Sequence, residues 1–437
     1  MTLIDLTAPV SRDSRLDGLP VAIIGAGPIG LAAAANLVER GIDFVIYEAG
    51  DSIASSMRSW GHIRLFSPWE HLIDPSARRL LEADGWMQPR YQDKAPNGTE
   101  LVEQYLIPLA SLDSIASRIH TGLTVSAVTR RGMDRTRSAG RASTPFALRI
   151  TDALGSVTEV TARAVIDTSG TYRTTNSLGS NGLDPLGIDA VVDHVTHALP
   201  DVLGVDRPRF AGRHITVVGA GHSAANTLIN LSALIQTSPE TTVTWVMRNK
   251  SAVRVFTADD DELADRASLG STVQKLIDFG VIAVVDGFEI LELTQNGDRV
   301  DIAGLRHGGV EHLTTDVIVN ATGFRPDLGM LREIRLNLDD IVEAPVKLAP
   351  LIDPNLHSCG TVEPHGFAEL QQPEPNFFIA GMKSYGRAPT FLLATGYEQV
   401  RSITAFLAGD LAAAMNVELV LPATGVCSTD ASSSCCS

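Results

Sequence analysis

The chain has 437 residues, is 44% hydrophobic and 20% charged, and carries a formal net charge of −16. That length supports two or three domains with full cores, and the acidic balance argues against a polyanionic partner such as nucleic acid. No apolar run approaches the roughly 20 residues of a membrane span, the first 18 residues lack the apolar stretch of an export signal, and three of the four cysteines fall in the last 11 residues, which is no disulfide framework and fits a reducing cytoplasm.

In chain order, residues 1–18 read as a loose arm. Val21 to Ile24 is an apolar run of the kind that makes a buried parallel strand. Gly25-Ala26-Gly27-Pro28-Ile29-Gly30 follows, then a helix over Leu31 to Arg40 and a second strand over Phe44 to Tyr47 that ends on Glu48. This spacing suits a dinucleotide: Gly25 permits the tight turn, Gly27 lets backbone approach a pyrophosphate, and Gly30 lets helix and strand pack closely. The phosphates would lie on the helix N-terminus, and Glu48 would accept hydrogen bonds from a ribose diol.

Asp51 to Trp69, which contains Arg58 and Trp60, reads as a loop running over the bound cofactor. Helices are expected over Asp74 to Ala83 and Glu100 to Ser117. Strands are expected over Leu123 to Val128, Ala147 to Thr151 and Thr161 to Thr168, the last running into Ser169-Gly170-Thr171. Asn176 to Pro208 reads as a polar connection between domains.

The opening pattern then recurs. A strand over His214 to Val218 leads into Gly219-Ala220-Gly221-His222-Ser223-Ala224, a helix over Ala225 to Ile235 and a strand over Thr242 to Met247 that ends on Arg248, near Lys250. An acid at that strand end favours a free ribose hydroxyl and a cation favours a 2′-phosphate, so the first site suits FAD or NAD and the second NADPH. Ser251 to Leu276, with Asp259-Asp260-Asp261-Glu262, reads as a solvated insertion, not a metal site. A β-meander is expected from Val281–Val285, Gly287–Thr294 and Arg299–Ala303. A buried strand over Asp316 to Asn320 enters Ala321-Thr322-Gly323-Phe324-Arg325-Pro326-Asp327. The last core strand, Phe377 to Ala380, precedes Gly381-Met382; Tyr385, Arg387 and Thr390 follow as candidates to line the flavin or a substrate pocket. Thr395 to Leu407 closes the chain as a helix, before a small, polar tail.

With both phosphate loops placed, the chain resembles the two-dinucleotide-binding-domain flavoproteins, and among them the flavin-containing monooxygenases, over roughly residues 19–410. The motifs that carry the likeness are GAGPIG with Glu48, GAGHSA, and ATGFRPD. The resemblance implies an α/β fold of two Rossmann-like domains, with an NADPH domain (206–330) inserted into a discontinuous FAD domain (19–185 and 331–412), and a flexible tail (413–437). It implies hydride transfer from NADPH to FAD, then reaction of reduced flavin with dioxygen to give a flavin hydroperoxide that oxygenates a small soft nucleophile or carbonyl substrate.

Three departures mark this chain. Asp193-His194-Val195-Thr196-His197 and Pro200-Asp201 replace the family's Phe-x-Gly-x-x-x-His identifier. Phe66, before Ser67-Pro68, stands for the family's asparagine. Gly381-Met382 stands where disulfide reductases have Gly-Asp. A thiol, disulfide or metalloid reductase is the alternative, and since there is no Cys-x-x-Cys it would need Cys427, Cys435 and Cys436, whose soft sulfurs also suit a metalloid. Cys359 stands alone and reads as packing. A sensor that holds FAD without turnover is a further class.

Overall fold

The computed structural model describes residues 15–250, 252, 264–353, 364–388 and 391–419. The acidic cluster 259–262, Cys359, Thr390 and the three tail cysteines lie outside the described residues.

Two five-stranded sheets with parallel pairings carry the architecture. The first runs Phe377–Ile379, Ala164–Asp167, Val21–Ile24, Phe44–Tyr47, Ile119–His120 across the sheet. The second runs Ala283–Val285, Thr242–Val246, His214–Val218, Val317–Asn320, Val195–His197. These short runs of β-branched residues are buried on both faces, as parallel sheets require. Alternate residues serve different cores. Val21, Ile23, Ala164 and Ile166 face the helices, while Ala22, Ile24 and Val165 face a three-stranded antiparallel sheet. That sheet is Leu123–Arg130, Phe146–Asp152, Val157–Ala162. A matching antiparallel sheet, Glu289–Asn296, Arg299–Arg306, Gly309–Thr315, backs the second parallel sheet through Phe288, Ile290, Val300 and Ile302.

Several expected elements shift, each for a visible reason. Thr161–Thr168 is two strands, divided at Arg163: one half joins the antiparallel sheet and the other the parallel sheet. Ala283–Val285 is no part of the meander; it pairs parallel to Thr242–Val246 at the sheet edge, and Gly309–Thr315 supplies the third meander strand. The expected helix over Glu100–Ser117 is broken into short pieces with a π turn over Val102–Leu106 and Pro108 near the start of the next piece. Asn176–Pro208 is not mere connection. Val195–His197 pairs with Val317–Asn320, so the second sheet begins before residue 206.

A buried polar node sits under the first helix. Asp74 caps Pro75–Ala83 by accepting from the Ala77 amide at 2.8 Å, and accepts from Asn36 Nδ2 at 3.3 Å. It is 1% exposed, and burial pushes its carboxyl up to about 7. An acid whose pKa rises on folding holds its proton more tightly in the folded state. Its stabilising share is therefore full near pH 4 and is lost as pH rises towards 7. The share amounts to at most about 4 kcal/mol at ~1.4 kcal/mol per pH unit. Asp74→Asn keeps a capping side chain and is expected to remove that pH dependence. Urea unfolding of both proteins at pH 4.5 and 7.5 tests this; equal pH dependence in parent and variant would clear Asp74 of the role.

Candidate functional site

Ligands of open α/β sheets bind outside the carboxyl ends of the strands, and both glycine loops lie there. Gly25 has φ +99°, and a Cβ on it would stand 3.0 Å from the Thr168 carbonyl oxygen. A Cβ on Gly30 would stand 1.9 Å from the Gly25 carbonyl oxygen, so helix and loop cross at contact distance there. Gly27, by contrast, has no atom within 4 Å of that position. It caps the helix Pro28–Glu39 without any side-chain bond, with Pro28 in the first turn. The loop thus presents an open, backbone-lined helix end suited to an anion.

Glu48 is 7% exposed, and its carboxylate does more than end a strand. Oε2 accepts from the Ala26 amide at 2.8 Å; Oε1 accepts from the Gly50 amide at 2.8 Å and from Ser55 Oγ at 2.9 Å. Three of its roughly four acceptor positions are therefore taken, one by the phosphate loop at Ala26 and two by the segment after the second strand, and about one is left for a ribose hydroxyl. Adjacent strand ends complete the rim. Gly170 is at φ +69°, and Gly381 at φ +73° lies against Ile29. Met382 is half-buried beside it.

The second loop repeats the geometry. Gly219 has φ +131°, and a Cβ there would be 2.2 Å from the Ala321 carbonyl oxygen; Gly221 opens onto space. Ser223 is half-buried and Ala224 buried in the helix His222–Thr237. The Trp245 indole donates to the Gly219 carbonyl at 2.6 Å, an anchor that sequence patterning missed because an aromatic in a buried strand reads as core. Arg248 is exposed, its guanidinium 3.4 Å from the Ser180 carbonyl oxygen, and Lys250 is exposed two residues on. Gly323 sits at φ +101° in the motif that closes this sheet. There Asn176, on the connection from the first domain, donates to the Thr322 carbonyl and accepts from Asn320 Nδ2.

The segment expected to run over the cofactor forms a ribbon. Residues 61–70 pair with 92–99 through the bonds Leu65 N to Pro96 O, Trp69 N to Lys94 O and Gly98 N to Ile63 O. Trp60 packs on the main core; Arg58 is exposed, its Nε donating to the Ile53 carbonyl. Phe66 meets the ring of His222 edge-on, centroids 5.4 Å apart. The ribbon from the first domain therefore touches the second phosphate loop. Among the candidates after the last strand, Tyr385 is 1% exposed between His365 and Phe391, and burial holds its hydroxyl well above the usual range. It is core. Arg387 is exposed and pairs with Glu343 at 2.8 Å.

Residues 20–155 match the family described as FAD dependent oxidoreductase. A curated relative, the indole-3-pyruvate monooxygenase YUCCA6 of Arabidopsis thaliana, is 28% identical over 212 residues, 48% of this chain and 44% of the relative, so the match spans less than half of that relative's length. Among solved structures, the bacillithiol disulfide reductase Bdr (YpdA) of Bacillus cereus is 19% identical, with 90% of this chain and 99% of that one covered, at a TM-score of 0.67. The cadaverine monooxygenase DfoA of Erwinia amylovora is 13% identical, with 93% and 99% covered, at a TM-score of 0.61. The fold is that of the two-dinucleotide-binding-domain flavoproteins, and its first phosphate loop lies within the residues that match the FAD dependent oxidoreductase family. No helix among the described residues is long and apolar enough to cross a membrane.

Proposed function

We propose that this protein is an FAD-dependent oxidoreductase that takes NADPH as its reductant and acts as a monooxygenase on a small soft nucleophile or carbonyl compound, with dioxygen as co-substrate. The observation that supports this reading is the pair of open glycine loops, one followed by an acid and the other by a cation, with Phe66 of the first domain's ribbon against His222 of the second loop. FAD, when bound, supplies hydride acceptance and electron delivery to oxygen. The chain's own residues bind and orient. Gly25, Gly27, Pro28 and Gly30 receive the pyrophosphate, and Glu48 the adenosine ribose. Gly170, Gly323, Gly381 and Met382 form the strand-end rim, with Arg58 and Trp60 on the covering ribbon. Gly219, Gly221, Ser223 and Ala224 receive the second pyrophosphate, and Arg248 with Lys250 the 2′-phosphate. The sequence holds no Cys-x-x-Cys pair of thiols, and Ile29 fills the space between Gly381 and Gly396. Dioxygen needs no such pair.

One observation favours a second reading. Phe66 replaces an asparagine that the family associates with oxygen handling, and its ring offers no hydrogen bond. Under that reading electrons pass to a disulfide or metalloid presented by Cys427, Cys435 and Cys436. Mixing the holoprotein with NADPH anaerobically, then admitting air, separates the readings. A monooxygenase consumes NADPH and oxygen with oxygenated product; a reductase consumes NADPH only when given a disulfide or metalloid; a sensor does neither. Arg248→Ala is expected to raise the KM for NADPH about tenfold, the loss of one charge-assisted contact, with little change for NADH or in kcat. Equal effects on both nucleotides would remove Arg248 from the 2′-phosphate site.

A further inference from the structure

Two opposite charges lie fully buried at the carboxyl end of the first sheet, outside both glycine loops. Lys383 Nζ lies 2.7 Å from Asp167 Oδ2, with side-chain exposures of 1% and 0%. Ser169 ties them together. Its hydroxyl donates to Asp167 Oδ1 at 2.7 Å and accepts from Lys383 Nζ at 3.1 Å, and its amide donates to Asp167 Oδ1 at 3.1 Å.

Their place in the fold is specific. Asp167 ends the strand Ala164–Asp167 and is in register with Ile24, the residue before the first phosphate loop, and with Ile379, two residues before Gly381. The next residue, Thr168, donates its hydroxyl to the Ile24 carbonyl at 2.8 Å, and its own carbonyl oxygen is the atom a Cβ on Gly25 would meet. Lys383 lies in the turn Gly381–Tyr385, which continues from the last strand. The pair therefore joins the three strand ends over which a dinucleotide would cross. At 1% exposure the ammonium does not line the crevice; it lies one layer beneath it.

Desolvating two ions is costly unless they are paired and hydrogen-bonded, and a turn needing only to be anchored could use neutral groups. A fixed charge under a redox group has a further effect. In a low-dielectric interior its field reaches neighbours with little screening.

We propose that Lys383 and Asp167 form a charge pair that positions the Ser169–Gly170 turn at the crevice where FAD would bind, each charge cancelling the other's field so that neither biases the flavin's reduction potential. This rests on the FAD reading of the first loop. Both are positioning residues that act through the turn and through their fields. Intact, the pair is a neutral dipole. Reduction adds negative charge to the flavin, so an unopposed cation should favour it and an unopposed carboxylate should oppose it.

The test is the potential of the holoprotein, read by equilibration against a reference dye. Asp167→Asn should shift the two-electron equilibrium about tenfold towards reduced flavin, roughly 30 mV upward, and Lys383→Met about tenfold the other way. Asp167→Asn combined with Lys383→Met, and Lys383→Arg alone, should return near the parent value. If methionine at 383 prevents folding, Lys383→Gln, which keeps donors and loses the charge, should shift in the same downward direction. Shifts of the same sign, or potentials within twofold of the parent in both single variants, overturn the proposal. A parent that takes up no FAD overturns the FAD reading instead.

Discussion

Replacing Glu374 by alanine is expected to cost roughly 3–5 kcal/mol of folding stability, the range for removing one partner of a buried ion pair. Glu374 is fully buried and takes two guanidiniums at once. Arg130 Nε donates to it at 2.8 Å, and Arg141 Nε and Nη2 donate at 2.9 and 2.7 Å. Burial opposes its ionisation, but the hydrogen bonds from Arg141 and Arg130 outweigh that and hold its carboxyl below the usual value. The guanidiniums bind further groups: Arg130 reaches the Thr144 and Pro375 carbonyls and lies 3.6 Å over the Phe146 ring, and Arg141 reaches the Asp134 and Glu333 carbonyls. The cluster thus pins the antiparallel sheet to the segment that enters the last strand. Without the carboxylate, two cations remain buried together. The urea midpoint should fall at unchanged slope; a loss under about 1 kcal/mol would show that the carboxylate is not the node.

Glu48→Ala is expected to weaken FAD binding at least 100-fold, about 3 kcal/mol. A carboxylate that only met a ribose diol would lose less on removal. Here the same group also fixes the Ala26 and Gly50 amides and the Ser55 hydroxyl. Its loss leaves a loop that must be ordered when the nucleotide binds, an entropy cost added to the lost contact. Glu48→Gln should fall between, since its amide offers one acceptor oxygen where the carboxylate has two. Equilibrium titration of the apoprotein with FAD reads both variants. Affinity of the alanine variant within threefold of the parent would show that Glu48 does not hold the nucleotide.

What was legible in the sequence was local. Both phosphate loops, their strands and Glu48 are visible because glycines at fixed offsets after an apolar run answer a specific steric need: a turn, an open approach and a close helix crossing. Val21–Ile24 and His214–Val218 fall at the expected residues. What stayed hidden depends on distant partners. Arg130, Arg141 and Glu374 belong to no motif and come together only when sequence separations of 244 and 233 residues are closed. The contact of Phe66 with His222 could not be inferred, because each residue alone fits a loop. Ala283–Val285 reads as meander in the sequence, since a short apolar strand does not announce whether its partner runs parallel. Val195–His197 was missed for its polar, three-residue length.

The order of strands in the first sheet has a consequence for how this chain is made. Ala164–Asp167 pairs on one side with Val21–Ile24, already synthesised, and on the other with Phe377–Ile379, roughly 210 residues later. Every strand of the second parallel sheet lies between these two, from Val195 to Asn320. At about 5–20 residues per second, the first sheet would wait roughly 10–40 s with one edge unpaired while the inserted domain emerges and folds. During that interval an apolar strand offers free backbone donors and acceptors to any neighbouring chain. The late arrival of Glu374 and Phe377 closes that edge and brings a carboxylate to Arg130 and Arg141 in one step, so the nascent chain's vulnerability ends only after the inserted domain has been made.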